Sequence, residues 1–134
     1  MWTQYAIYYY FYLSFLLAHL GAVLKDPGYL EVKKQKKVSS RNSQVAGGFT
    51  FCSKCRLLRP ARAHHCRVCQ KCVCKMDHHC PWICNCVGQG NMKYFLLFLL
   101  YLAIFNFYCI FLLIFYYSAG FLNDRIDTMH QWDK

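Results

Sequence analysis

Two long stretches of this 134-residue chain contain no Lys, Arg, Asp or Glu: residues 1–24 and residues 94–122. This feature constrains the fold more than any other. The block from Trp2 to Leu24 makes a helix of about 35 Å at 1.5 Å per residue, enough to cross a hydrocarbon core of about 30 Å. Its interruptions, Thr3, Gln4, Ser14 and His19, are neutral. Tyr5, Tyr8, Tyr9, Tyr10 and Tyr12 crowd its first half, the amphipathic ring type favoured at a membrane interface. Besides its tyrosine hydroxyls, the block from Tyr94 to Leu122 offers polar atoms only at Asn106, Cys109 and Ser118, and it is long enough to span with some tilt. A cleaved signal peptide is a poor reading of the first block, which lacks a basic start and is too long.

Between these blocks, residues 25–93 hold fourteen of the sixteen Lys and Arg against three of the six Asp and Glu, a local net charge of +11. Two apolar blocks around one basic block exclude an ordinary soluble globular domain. Lys25, Lys33, Lys34, Lys36 and Lys37 follow the first block, and Lys93 abuts the second. The positive-inside rule puts this loop in the cytosol and both termini in the lumen or exterior. The Lys33–Lys37 run suits both a solvated face and anionic lipid headgroups. Because topology accounts for the charge, nucleic acid is not expected as a partner.

Nine of the ten cysteines and four of the six histidines lie between Cys52 and Cys86. The stretch from Cys52 to Gly90 is too short, and too poor in large aliphatics, to build an adequate apolar core. Cytosolic thiols stay reduced, so metal rather than disulfide is left to hold it together. Cys52/Cys55, Cys66/Cys69 and Cys69/Cys72 each enclose two residues, a spacing that points two sulfurs at one tetrahedral zinc. Two four-ligand sites consume eight of the thirteen candidates, leaving five for other uses. Among these residues, Asp77-His78-His79-Cys80 admits two readings. It has the composition of an activated thiol with its base and the acid that orients the base. Equally, His78 and His79 are both ligands and Asp77 supports one of them. Spacing does not choose.

Residues 52–91 resemble the DHHC-type protein S-acyltransferases, or palmitoyltransferases. The likeness rests on Cys-x-x-Cys from Cys52, Arg59-Pro-x-Arg-x-His-His-Cys66, Cys66-x-x-Cys-x-x-Cys72, Asp77-His-His-Cys-Pro-Trp82 and Asn85-Cys-Val-Gly-x-x-Asn91. Asp26-Pro27-Gly28 also resembles the family's motif after a span. The resemblance implies an α-helical integral membrane protein with two transmembrane helices in this chain and a small, irregular, zinc-stapled cytosolic domain. Its implied divisions are a transmembrane helix over 1–24, a basic cytosolic linker over 25–51, the cysteine-rich domain over 52–93, a transmembrane helix over 94–122 and a lumenal or extracellular tail over 123–134.

The implied activity is transfer of a fatty acyl group, usually palmitoyl, from acyl-CoA through a Cys80 acyl-enzyme to cytosolic cysteines of membrane-associated proteins. His78 is then the base and Asp77 its orienting partner. Two structural zinc ions fall on Cys52, Cys55, His65 and Cys72, and on Cys66, Cys69, His79 and Cys86. Trp82, Phe95 and Phe98 match positions lining the acyl cavity; ordinary helix-packing or lipid-facing residues are the plainer reading. Arg56, Arg59 and Arg62 suit either CoA phosphates or a solvated face. The implied setting is a multi-pass protein of endomembranes (ER or Golgi) or the plasma membrane, with acyl-CoA, protein substrates and the bilayer as partners. The chain is expected to be partial, since the family has at least four spans and a Thr-Thr-x-Glu motif after the fourth. Cys84 replaces the family's usual Asn, and Cys74 is an uncommon addition. The alternative is a membrane-anchored zinc module or truncated subunit without catalysis.

Overall fold

A computed structural model describes residues 2–31, 44–45 and 48–132 of the chain. Two helices carry a small domain of short strands between them. Helix α1 spans Trp2–Leu24 and helix α2 spans Met92–Trp132. By length and composition, Trp2–Leu24 and the Met92–Leu122 part of α2 could each cross a membrane. Only 11% and 6% of their most apolar windows are buried within the molecule, unlike the core helix of a soluble domain, whose apolar face protein covers.

The helices pack antiparallel, as the contacts along their length require. Tyr94 lies against Gly21 at one end, Phe98 against Phe15, Phe105 against Tyr8, and Tyr116 against Gln4 at the other. The small buried residues Ala18 and Ala22 let α2 approach α1 closely. At the far end two tyrosine hydroxyls clasp Gln4: Tyr108 donates to its carbonyl at 3.1 Å and Tyr116 to its side-chain oxygen at 2.6 Å.

Among the described residues, seven strands follow α1: β1 (Gln44–Val45), β2 (Phe49–Cys52), β3 (Leu57–Arg59), β4 (His64–Cys66), β5 (Lys71–Val73), β6 (His78–Cys80) and β7 (Asn85–Val87). They form one three-stranded antiparallel sheet, β1-β2-β3, and the hairpins β4-β5 and β6-β7. A 3₁₀ turn over Pro81–Ile83 links the last two strands. The cysteine-rich domain expected as irregular is thus built of short antiparallel strands joined by turns. Helix α2 begins at Met92 and continues past Leu122 to Trp132, so residues 123–132 are helical. The Lys33, Lys34, Lys36 and Lys37 cluster lies outside the described residues.

The Asp26-Pro27-Gly28 segment is the joint between α1 and the hairpins. Asp26 Oδ1 accepts from the backbone N–H groups of Gly28 and Tyr29 at 2.7 and 2.9 Å, a turn in which Gly28 takes φ +103°. The exit strand then pairs with the domain. Cys74 N–H donates to the Gly28 carbonyl, Leu30 N–H to the Cys72 carbonyl and Gly90 N–H to the Pro27 carbonyl, all at 2.8–3.1 Å. Asn91, fully buried, closes the joint from the other side. Its Nδ2 donates to the carbonyls of Ala22 and Cys86 and its Oδ1 accepts from Gly88 N–H, at 2.8–3.0 Å.

Candidate active site and metal centres

The Cys-x-x-Cys turns from Cys52 and Cys66 are built the same way, whereas Cys69 and Cys72, expected from the same spacing to share a metal, go to different ligand groups because strand β5 carries Cys72 to the other site. The N–H of Cys55 donates to Cys52 Sγ at 3.5 Å, and that of Cys69 to Cys66 Sγ at 3.3 Å. The residue after each second cysteine, Arg56 or Gln70, turns left-handed at φ 53° or 55°. Strand alternation then distributes the ligands, because neighbours in a strand point to opposite faces. Within β4, His65 joins Cys52, Cys55 and Cys72, whereas Cys66 joins Cys69, His79 and Cys86. Cross-strand pairing sets the remaining distances: His65 stands opposite Cys72, and His79 opposite Cys86.

In each group one ligand atom per residue lies within 4.8 Å of every other, so either group could hold a metal ion. His65 Nδ1 is 3.2 Å from Cys55 Sγ and 3.8 Å from Cys72 Sγ. His79 Nδ1 is 3.7, 3.4 and 3.7 Å from the sulfurs of Cys66, Cys69 and Cys86. Ligands about 2.0–2.3 Å from a tetrahedral centre stand at such separations. Burial pushes the Cys52 thiol up, but hydrogen bonds from Cys55 and Cys72 outweigh it, and the thiol sits below its ordinary value. Cys66 follows suit through Cys69 and Cys86. Cys72 and Cys86 are pushed up, first by burial and then by the sulfurs they share a site with.

The same alternation separates His78 and Cys80 from His79. Positions 78 and 80 share a face of β6 while 79 points to the opposite one. His78 Nδ1 meets Asp77 Oδ2 at 2.8 Å, an exposed pair. Cys80 is 4% exposed, packed with Ala22, Ile83 and Val87 under Phe95 and Tyr94, and belongs to neither ligand group. Phe95 also sets its ring edge-on to His78 with centroids 5.4 Å apart. One aromatic side chain of α2 thus covers both residues.

Phe98 and Trp82 line an apolar groove of about 430 Å³ with Phe15, His19, Leu99 and Leu102. Phe95 stands outside this lining, its ring 6.2 Å from Phe98. Of the three arginines, Arg56 and Arg62 are exposed and both take positive φ, while Arg59 buries an Nε without a partner. Cys84 ends the 3₁₀ turn in the left-handed region, at φ 48° and ψ 32°. Asn tolerates that conformation better than most residues, which gives a backbone reason for Asn at this position. The Cys74 side chain joins neither ligand group, but its backbone serves the joint.

Sequence reasoning overlooked three residues. His19, in sequence a neutral interruption of the first block, touches the turn after Cys80. Asn85 Nδ2 donates to the carbonyls of Val23 and Lys25 at 3.1 and 3.2 Å, fixing the end of α1 to β7. Asn91, the residue before α2, does the same through the Ala22 carbonyl. Both asparagines sit in the Asn85-Cys-Val-Gly-x-x-Asn91 motif, which was the available signal.

The DHHC palmitoyltransferase family model matches residues 46–133. Palmitoyltransferase ZDHHC3 of Homo sapiens is 40% identical over 111 residues, covering 81% of this chain and 37% of the relative. Probable protein S-acyltransferase 12 of Arabidopsis thaliana is 41% identical over 104 residues, 71% of this chain and 36% of the relative. Palmitoyltransferase pfa3 of Emericella nidulans is 41% identical over 108 residues, 70% and 21% respectively. The chain thus spans less than two fifths of the length of these relatives. A family model over most of its length, with the motif residues gathered in space as described, places the chain in the DHHC palmitoyltransferase family.

Proposed function

We propose that this chain carries the catalytic centre of a protein S-acyltransferase that moves a fatty acyl group from acyl-CoA to cysteine thiols of membrane-associated proteins. One observation carries the reading: Cys80 shares a strand face with the Asp77-partnered His78 and stands outside both four-ligand groups. In the first step the Cys80 thiol gives its proton to His78, and Sγ attacks the thioester carbonyl of acyl-CoA. The new S–C bond forms as the bond to CoA sulfur breaks; His78 passes its proton to the leaving CoA thiolate, so CoA departs as the free thiol and His78 is neutral again. In the second step the substrate cysteine gives its proton to His78 and takes the acyl group, releasing Cys80. Asp77 holds the imidazole in place and steadies its positive form.

Zinc is the metal that suits two Cys₃His sets, held by Cys52, Cys55, His65 and Cys72 and by Cys66, Cys69, His79 and Cys86. With all four positions filled by protein it supplies rigidity to the hairpins. The apolar helices cross the bilayer, and the hairpin domain faces the cytosol, where acyl-CoA is made available and thiols stay reduced.

Labelling by an alkyne palmitoyl-CoA in membranes tests the reading. Wild-type chain gives a hydroxylamine-labile adduct, and Cys80→Ser gives none while keeping its zinc. Equal labelling of the variant removes Cys80 from the mechanism.

A further inference from the structure

The first helix reaches the segment beside Cys80 through one polar contact. His19 Nε2 lies 3.2 Å from the Trp82 carbonyl oxygen. A carbonyl only accepts, so Nε2 carries the hydrogen and the tautomer is set. The imidazole is also held from two sides: it stacks on Phe15 at 6.3 Å and 13°, and meets Phe98 at 5.0 Å. A histidine among apolar residues of a span costs free energy unless its polar atoms find partners. Here its partner is the backbone two residues beyond the thiol, within the 3₁₀ turn capped by Cys80 itself.

The groove of about 430 Å³ is formed around this ring by Phe15, Trp82, Phe98, Leu99 and Leu102. Nothing charged lines it. Phe98 joins it to Phe95, which covers Cys80 and His78. An occupant that reaches both the groove and the thiol is a long apolar chain with its reactive end at Cys80. Resting on the acyltransferase reading, we propose that His19 is a positioning residue that fixes the acyl-chain groove against the Cys80 turn and thereby sets which chain lengths are accepted. The hydrogen bond holds Trp82 at the groove wall, so its loss lets the wall shift and the length discrimination slacken.

The test compares wild type, His19→Leu and His19→Gln in membranes, using myristoyl-, palmitoyl- and stearoyl-CoA. A non-transferable diazirine fatty acid mapped by mass spectrometry provides a readout that needs no catalysis. His19→Leu keeps its zinc and folds, but discriminates among the three donors about fivefold less, the worth of one lost hydrogen bond. His19→Gln, which keeps a donor, recovers most of the discrimination. The diazirine label falls on peptides holding Phe98 or Leu102. A His19→Leu profile identical to wild type, on a protein that labels Cys80, overturns the role of His19 alone. Groove cross-linking without Cys80 labelling overturns the acyltransferase reading alone. Neither signal in wild type overturns both.

Discussion

At the scale of single residues, the decisive fact is that His78 and His79, adjacent and chemically identical, face opposite ways. A three-residue strand is enough to separate them: His79 turns to Cys66, Cys69 and Cys86, and His78 to the side of Cys80. The two roles therefore fail differently when mutated. Asp77→Asn or His78→Ala is expected to slow Cys80 acylation about a hundredfold with zinc content unchanged, by metal analysis of the purified chain. His79→Ala should lose one equivalent of metal and the protease resistance of the hairpins, since ligand binding energy is folding energy in such small modules. If His78→Ala sheds metal as readily, the division between base and ligand is wrong. Spacing left this choice open for a physical reason. Strands of three residues are too short to print a period of two on the sequence, and nothing local tells which of two neighbouring imidazoles meets a sulfur thirteen residues away.

At the scale of elements, the two helices were legible because an uncharged run needs no partner to declare itself. The docking of α1 onto the hairpins was not. It depends on Asn85 and Asn91 reaching carbonyls of Ala22, Val23 and Lys25, sixty or more residues distant in sequence. It also depends on an absent side chain. A Cβ at Gly90 would run into the Asp26 carbonyl, and one at Gly88 would lie 2.5 Å from the Pro27 oxygen. Backbone on both sides leaves nothing flexible to yield. Gly90→Ala is therefore expected to pull the Asp26-Pro27-Gly28 turn off the hairpins and open the Gly90–Pro27 hydrogen bond. The cost should be about 1–3 kcal/mol, read as a lower temperature of zinc release. Zinc should still bind, because neither ligand group contains Gly90 or a neighbour of it. Unchanged release temperature would mean the joint contributes nothing to the stability of the domain.

At the scale of the whole molecule, the charge pattern and the metal groups make the same demand on topology. The basic stretch between uncharged helices favours the cytosolic face, and the cysteines of the two ligand groups stay available to a metal where thiols are kept reduced. The arrangement of hairpins adds a reporter for this. Cys84 is exposed at the end of the turn that follows Cys80, outside both ligand groups, with its sulfur 3.4 Å from the Pro81 carbonyl oxygen. A membrane-impermeant maleimide added to sealed microsomes, cytosolic face outward, should modify Cys84 before any detergent is present. Cys84→Ser should remove that fast adduct, while metal-held sulfurs react only after chelation, because coordination occupies the thiolate that a maleimide needs. Modification of Cys84 only after the membrane is opened would put the hairpin domain on the lumenal side. There neither acyl-CoA supply nor the reduced state of its ligands could be maintained, so the orientation bears directly on whether the site works.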